Sequence, residues 1–262
     1  MMRTKVFYQG RYVTAFNDCQ WRPYIYPLCT PAGACMIQEA TVDHPFHNGI
    51  FFAHDSVDGV NFWVPAYSPL ATFCSGRVIC RQRNWELVAE DQIQFQELCE
   101  WIDPMAAAVL KQTSTYDIQC RPTVNSIRIK TSLDACRALT LKQTKEALLG
   151  IRIADNFCVH NGGRMIDAEG RINEQGIMDQ TGAWVDCQGR VGDMTAGILI
   201  TQPANRRPIA WFARDYGLIG INQFRTEGDL PLQPGKPYEL DVLIAAHDGD
   251  HTNPELMEMV NK

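Results

Sequence analysis

The sequence predicts an all-β protein, a large antiparallel β-sandwich with few short helices. Apolar residues recur mostly with period two, and helical periodicity is nearly absent. Turn signals such as Gln9-Gly10, Asp58-Gly59, Gln188-Gly189 and Pro234-Gly235 punctuate these runs at intervals of roughly ten residues. The chain also has the material for a full core: 262 residues, 45% hydrophobic and 21% charged.

Residues 5–9 and 11–16 form the first pair of expected strands, followed by Arg22-Pro-Tyr-Ile-Tyr-Pro27, held extended by its prolines. Gly49-Ile-Phe-Phe-Ala53 reads as a buried strand, and 77–81 and 85–89 as two further strands. Ile93, Phe95, Cys99 and Trp101 share one face of a run, with Gln94, Gln96 and Leu98 on the other. Ile127, Ile129, Thr131 and Leu133 alternate in the same way with Arg128, Lys130 and Ser132. Strands are further expected over 148–153, 197–201, 209–212, 218–222 and 238–245. One helix is predicted over 253–260, with Asn253 as N-cap and Pro254 at the first helical position. With no repeat, linker or low-complexity segment, the expectation is one domain over 1–262.

Composition narrows the function. A net charge of −6 without a basic run argues against nucleic acid and anionic membrane surfaces as partners. No stretch approaches the ~18 apolar residues of a membrane span, and the first residues lack the apolar core of an export signal, so a cytoplasmic protein is expected. The ten cysteines include no Cys-x-x-Cys pair, which excludes a finger- or ribbon-type zinc site. They are expected to be reduced and mostly buried.

Residues 43–54, Asp-His-Pro-Phe-His-Asn-Gly-Ile-Phe-Phe-Ala-His, hold three of the six histidines. Imidazole exchanges protons near neutrality and is the commonest metal ligand, so Asp43, His44, His47 and His54 are the first candidates for chemistry. His44 and His47 share a turn across Pro45 and can converge. His47 and His54, seven apart across a strand, point to opposite faces unless a bulge at Gly49 intervenes. Arg22 and Tyr24, and Trp211, Arg214, Asp215 and Tyr216, combine guanidinium forks, a carboxylate and rings, a set suited to sugar hydroxyls and their C–H faces. Glu169 follows a Gly-Gly turn and is a further binding candidate. The glycines near it have neither the spacing nor the helix of a phosphate loop, and no nucleophile elbow is present.

The leading expectation is an enzyme acting on a sugar or cyclic polyol-like small molecule by histidine acid/base chemistry: epimerisation, ring opening or elimination. His47 or His54 serves as base and His44 as acid, with Asp215 in the catalytic set. Arg22, Tyr24, Glu169, Trp211, Arg214 and Tyr216 contact the substrate, and no cofactor is required. A second reading places a divalent metal on His44, His47 and Asp43 for oxygenase-type chemistry. A third is a non-catalytic carbohydrate-binding protein. Oligomeric state stays open.

Several blocks resemble the bacterial DUF6807 family, often labelled methane oxygenase PmoA. They are Arg22-Pro-Tyr-Ile-Tyr-Pro27, the 43–54 segment, Asp58-Gly-Val-Asn-Phe-Trp63, Glu146-Ala-Leu-Leu-Gly-Ile-Arg152, Gly163-Arg-Met-Ile-Asp-Ala-Glu-Gly170 and Trp211-Phe-Ala-Arg-Asp-Tyr216. The resemblance implies a sandwich similar to the galactose-mutarotase supersandwich, and a setting among sugar-catabolic genes. Phe46 and Asn48 stand where the family has histidine and arginine, and Asn61 where it has aspartate.

Overall fold

The computed structural model describes residues 3–71, 73–202 and 210–260. Its strands are β1 (Arg3–Tyr8), β2 (Arg11–Asn17), β3 (Tyr24–Leu28), β4 (Ile50–His54), β5 (Arg77–Ala89), β6 (Gln92–Ile102), β7 (Ala108–Cys120), β8 (Val124–Ala135), β9 (Leu139–Leu141), β10 (Ala147–Arg152), β11 (Arg164–Asp167), β12 (Trp184–Val191), β13 (Met194–Thr201), β14 (Trp211–Arg214), β15 (Leu218–Ile221), β16 (Leu230–Leu232) and β17 (Tyr238–Asp248). The helices α1 (Asn173–Ile177), α2 (Phe224–Glu227) and α3 (Pro254–Val260) are short. None among the described residues is long and apolar enough to cross a membrane.

Two antiparallel sheets face each other. One has seven strands in the order β1-β2-β3-β4-β10-β15-β14, the other eight in the order β11-β12-β13-β17-β8-β7-β6-β5; β9 and β16 form a small pair. Alternation decides which side chains meet between them. Phe16, Ile25, Ile50 and Phe52 from the first sheet join Phe95, Trp101, Ile118, Ile127 and Ile244 from the second in one apolar cluster. Burying a large side chain of this kind contributes roughly 1.5–3 kcal/mol before entropy is subtracted.

Most expected strands form within a few residues of their predicted ends, and Asn253 caps α3 by accepting the N–H of Glu255 at 3.0 Å. Residues 77–81 and 85–89 belong to a single strand, β5, whose register slips at Cys80/Gln82 and Leu87/Ala89. Strand β7 was not expected. Its inner face carries Gln112 and Ser114 amid apolar neighbours, which blurs the period-two signal. These polar groups satisfy one another: Trp101 Nε1 donates to Gln112 at 2.9 Å, Gln112 donates to Ser114 at 3.1 Å, and Ser114 meets Thr131 at 2.8 Å. The predicted start of β14, Ile209, lies outside the described residues.

The ten cysteines are free thiols, five of them buried. Cys80 stands opposite Cys99 across β5 and β6, and Cys29 opposite Cys35 across a β-bridge. Sequence spacing showed neither pair.

The candidate site lies on the outer face of the seven-stranded sheet. There Phe51 and Ala53 of β4, with Tyr24, Phe46, Trp63, Phe212 and Leu218, form a second apolar cluster. It is a floor on which a loop packs.

Candidate functional site

That loop runs from Gln38 to Gly49. Gly49 N–H donates to Gln38 O at 2.8 Å and its carbonyl accepts Arg152 N–H at 2.8 Å, so the loop is pinned to the last residue of β10. Gly49 has φ +55°, and a Cβ there would sit 2.0 Å from Ile25 O, so both the backbone conformation and the space demand glycine. Within the loop, Thr41 Oγ1 donates to His44 O at 2.9 Å and His47 N–H returns to His44 O at 2.9 Å. This turn places His44 and His47 side by side.

Their rings stack at 4.6 Å between centroids and 2° between planes. His44 also stacks on Tyr216, at 5.5 Å and 12°. His47 stacks on Phe51 at 5.8 Å and meets the Trp63 edge at 5.6 Å. Arginines close this file of rings. Arg22 lies 4.1 Å over Phe51, Arg152 4.8 Å and Arg214 5.6 Å over Tyr216.

Burial separates the two histidines chemically. His47 is 1% exposed, and neither ring nitrogen has a hydrogen-bond partner. Burial first, then the nearby cations Arg22 and Arg152, pushes its pKa down to about 2, so the ring is neutral at working pH. The His44 side chain is 33% exposed, and its Nδ1 lies 3.0 Å from Asp43 Oδ2. The angle is poor for a hydrogen bond, since that nitrogen counts as unpartnered by geometry. Such contacts often straighten when substrate is bound.

Asp43 is well anchored. Arg152 Nη2 donates to both its oxygens, at 2.8 and 2.9 Å. Burial works to raise the Asp43 pKa, but its contacts with His44 and Thr41 and the Arg152 charge hold it well below the usual carboxylate range. Arg152 is itself buried, and its Nε and Nη1 have no partner. Gln38, Asp43, Arg152, Asp155, His160 and Tyr216 line a cleft of about 460 Å³. A shallower one of about 680 Å³ is walled by Trp21, Tyr24, Glu39, Pro45 and Tyr67. His44 itself lines neither; its neighbour Asp43 lines the first and Pro45 the second.

The structure therefore brings together Asp43, His44, His47, Arg214 and Tyr216, and it separates several residues that the sequence grouped with them. His54 is fully buried on the opposite face, where it packs on Phe224 and its Nδ1 accepts Ser56 N–H at 3.1 Å. No bulge overrides strand parity, so His54 sits in the inter-sheet core. Arg22 does not reach a substrate: its guanidinium donates to the carbonyls of Phe46, Phe62 and Trp63, tying together the backbone beneath the rings. Trp211 lies three residues before Arg214 on β14 and points into the core. Asp215 accepts Glu174 N–H at 2.9 Å while Glu174 accepts Asp215 N–H at 3.0 Å, a reciprocal lock on α1. Glu169 is exposed and pairs with Arg171 at 2.8 Å, near the Trp211 indole. Tyr24 does wall the second cleft, but its hydroxyl donates to Glu39.

Arg152, Gln38, Asp155 and His160 escaped the sequence reading. A buried arginine at a strand end has no local signature. The three family departures are structural: Phe46 packs its ring edge-on against both histidines, Asn48 accepts Ala40 N–H, and Asn61 accepts the N–H groups of Trp63 and Val64.

The proposed metal set does not converge. An imidazole binds metal in its ring plane, and two parallel stacked rings aim their nitrogens along parallel lines. Among the described residues only Cys80, Glu97 and Cys99 bring three ligand atoms within 4.8 Å of one another, and Glu97 is already paired with Arg83.

A protein-family model described as "Family of unknown function (DUF6807)" matches residues 3–261. No curated protein matches the sequence. Among solved structures, the GH36 α-galactosidase AgaA of Geobacillus stearothermophilus is similar at 10% identity and TM-score 0.49, over 94% of this chain and 41% of that one. The chain thus spans well under half of that enzyme. A galactose mutarotase related enzyme of Lactobacillus acidophilus gives 7% identity and TM-score 0.46, over 94% of this chain and 97% of that one. A putative aldose 1-epimerase of Escherichia coli K12 gives 8% and 0.41, over 95% and 99%.

Proposed function

The chain belongs to the DUF6807 family, and we propose that it is an enzyme acting on a sugar or cyclic polyol-like small molecule, with His44 as its proton-transfer group. The observation that carries this reading is the Asp43–His44 pair beside a cleft, the carboxylate anchored by buried Arg152 and the imidazole held between two rings.

The division of labour follows from burial. Asp43 sits at Nδ1 of His44 and leaves Nε2 to meet the ligand. His44 takes a proton from a hydroxyl, or from carbon next to a carbonyl, and Asp43 stabilises the imidazolium that results. His160, exposed and lining the same cleft, is available to return a proton. His47 backs the His44 ring and stays neutral. Arg152 and Tyr216 line the cleft, and the Tyr216 ring suits a sugar C–H face. Epimerisation, ring opening and elimination all fit these groups.

A panel of aldoses, ketoses, hexuronates, inositols and keto-inositols, followed by NMR in D₂O, tests the proposal. At least one member should show enzyme-dependent proton exchange or conversion, reduced about 10²–10⁴-fold in His44→Ala. If no member reacts, or if His44→Ala reacts at the wild-type rate, the reading fails. The exposed Tyr67 beside Trp21 at the second cleft also fits carbohydrate binding without turnover; binding without conversion in wild type would favour that alternative.

A further inference from the structure

Of the four ends of the two main sheets, three are short strands. β1 has six residues, including Arg3 and Lys5, and β11 and β14 have four each. Short or charged edges are how β proteins avoid pairing with other strands. The fourth, β5, has 13 residues. Its beginning is covered, since Gly76 N–H donates to Asn61 O and Val78 N–H to Trp21 O. Beyond that point, among the described residues, β6 is its sole partner strand.

The open stretch from Cys80 to Ala89 contains neither lysine nor proline. Three apolar side chains cluster on it: Trp85 is 62% exposed, Leu87 68% and Val88 51%. Trp85 and Leu87 lie opposite Phe95 and Ile93 of the core face, so they extend that apolar face past the sandwich into solvent.

Charge identifies the occupant. In the open stretch exposed Arg81, which also pairs with Glu100 at 2.7 Å, precedes Trp85, and exposed Glu86 and Glu90 follow it. A strand that is basic before its centre and acidic after it is complementary to its own reversed copy. We propose that β5 is a homodimerisation edge, pairing antiparallel with β5 of a second chain about a two-fold axis near Trp85. Trp85 then packs against its own copy, and the arginine end of each strand runs beside the glutamate end of the other. This is an isologous contact that closes at two copies and joins the two eight-stranded sheets across one ladder.

About nine residues at ~3.3 Å each give a contact roughly 30 Å long. Such an edge buries less than the ~1,200 Å² at the lower bound of stable interfaces, so the dimer is weak and reversible.

Sedimentation velocity over micromolar to sub-millimolar concentrations, with hydrogen exchange on the same samples, tests it. The wild type should shift from monomer to dimer, with slower exchange of amides 82–88 at high concentration. Trp85→Lys should remain monomeric with an unchanged melting temperature. Arg81→Glu and Glu90→Arg should each weaken association, and R81E/E90R together should recover much of it. A wild type that stays monomeric throughout, or a dimer indifferent to Trp85→Lys, overturns the proposal.

Discussion

His44 and His47 share a turn and a stacking axis, yet burial gives them different chemistry. The partly exposed ring sits beside a carboxylate and, in the proposed function, exchanges protons with the ligand, whereas the buried one is held neutral. Asp43→Asn should therefore lower turnover by at least about tenfold, because the imidazolium loses its counter-charge. The Asp43 side chain is 42% exposed, so solvent screens its ion pair and stability should fall less than activity; turnover and urea midpoints on one variant check both. His54 supplies a separate test. Burial lowers its folded-state pKa to about 3, while the unfolded ring titrates near 6.5. Between those values the unfolded chain binds more protons, so stability is present at neutral pH and is lost as pH falls below about 6.5. Each such ring contributes a slope of up to about 1.4 kcal/mol per pH unit. Urea midpoints from pH 7.5 to 5 should show a flatter dependence in His54→Gln; an unchanged slope would mean the ring titrates normally in the fold.

The loop from Gln38 to Gly49 carries the candidate site's histidines, and its fit depends on one position. Gly49→Ala adds a Cβ against Ile25 O at a positive φ, and should cost more than about 2 kcal/mol in urea unfolding. Near-wild-type stability would show that the loop relaxes freely. Asn61 is the hinge of a neighbouring turn, donating to Asp55 and accepting two backbone N–H groups. Asn61→Asp keeps the acceptor but sets two carboxylates together. It should lose about 1 kcal/mol at pH 7 and recover below the carboxylate range, as midpoints at the two pH values would show. At this scale the sequence was informative where a residue's neighbours in the chain decide its fate. Strand parity correctly opposed His47 to His54, and Asn253-Pro254 marked α3. It was silent where distant residues decide: Arg152 becomes a site residue through Asp43, 109 positions away. β7 was hidden because its inner polar groups find partners on other strands.

For the whole molecule, the two faces of one sheet separate the core from the candidate site. The inner face of the seven-stranded sheet is a mainly apolar layer, while its outer face carries a smaller apolar cluster with the histidine loop on top. An all-β antiparallel sandwich was legible from period-two runs and turn spacing, since both record which residues face the core. The strand order was not, because β4 beside β10 and β8 beside β17 are pairings between remote segments, and the candidate cleft exists only once β4, β10 and β15 are neighbours. The central claim, that His44 is the ring presented to the ligand, is tested most directly by long-range ¹H–¹⁵N correlation of the histidine side chains during titration with a ligand from the sugar and polyol panel. Saturable shifts of the His44 nitrogens, smaller ones at stacked His47 and none at His54 are the predicted result. A ligand that is converted while the His44 nitrogens stay unmoved would contradict the account.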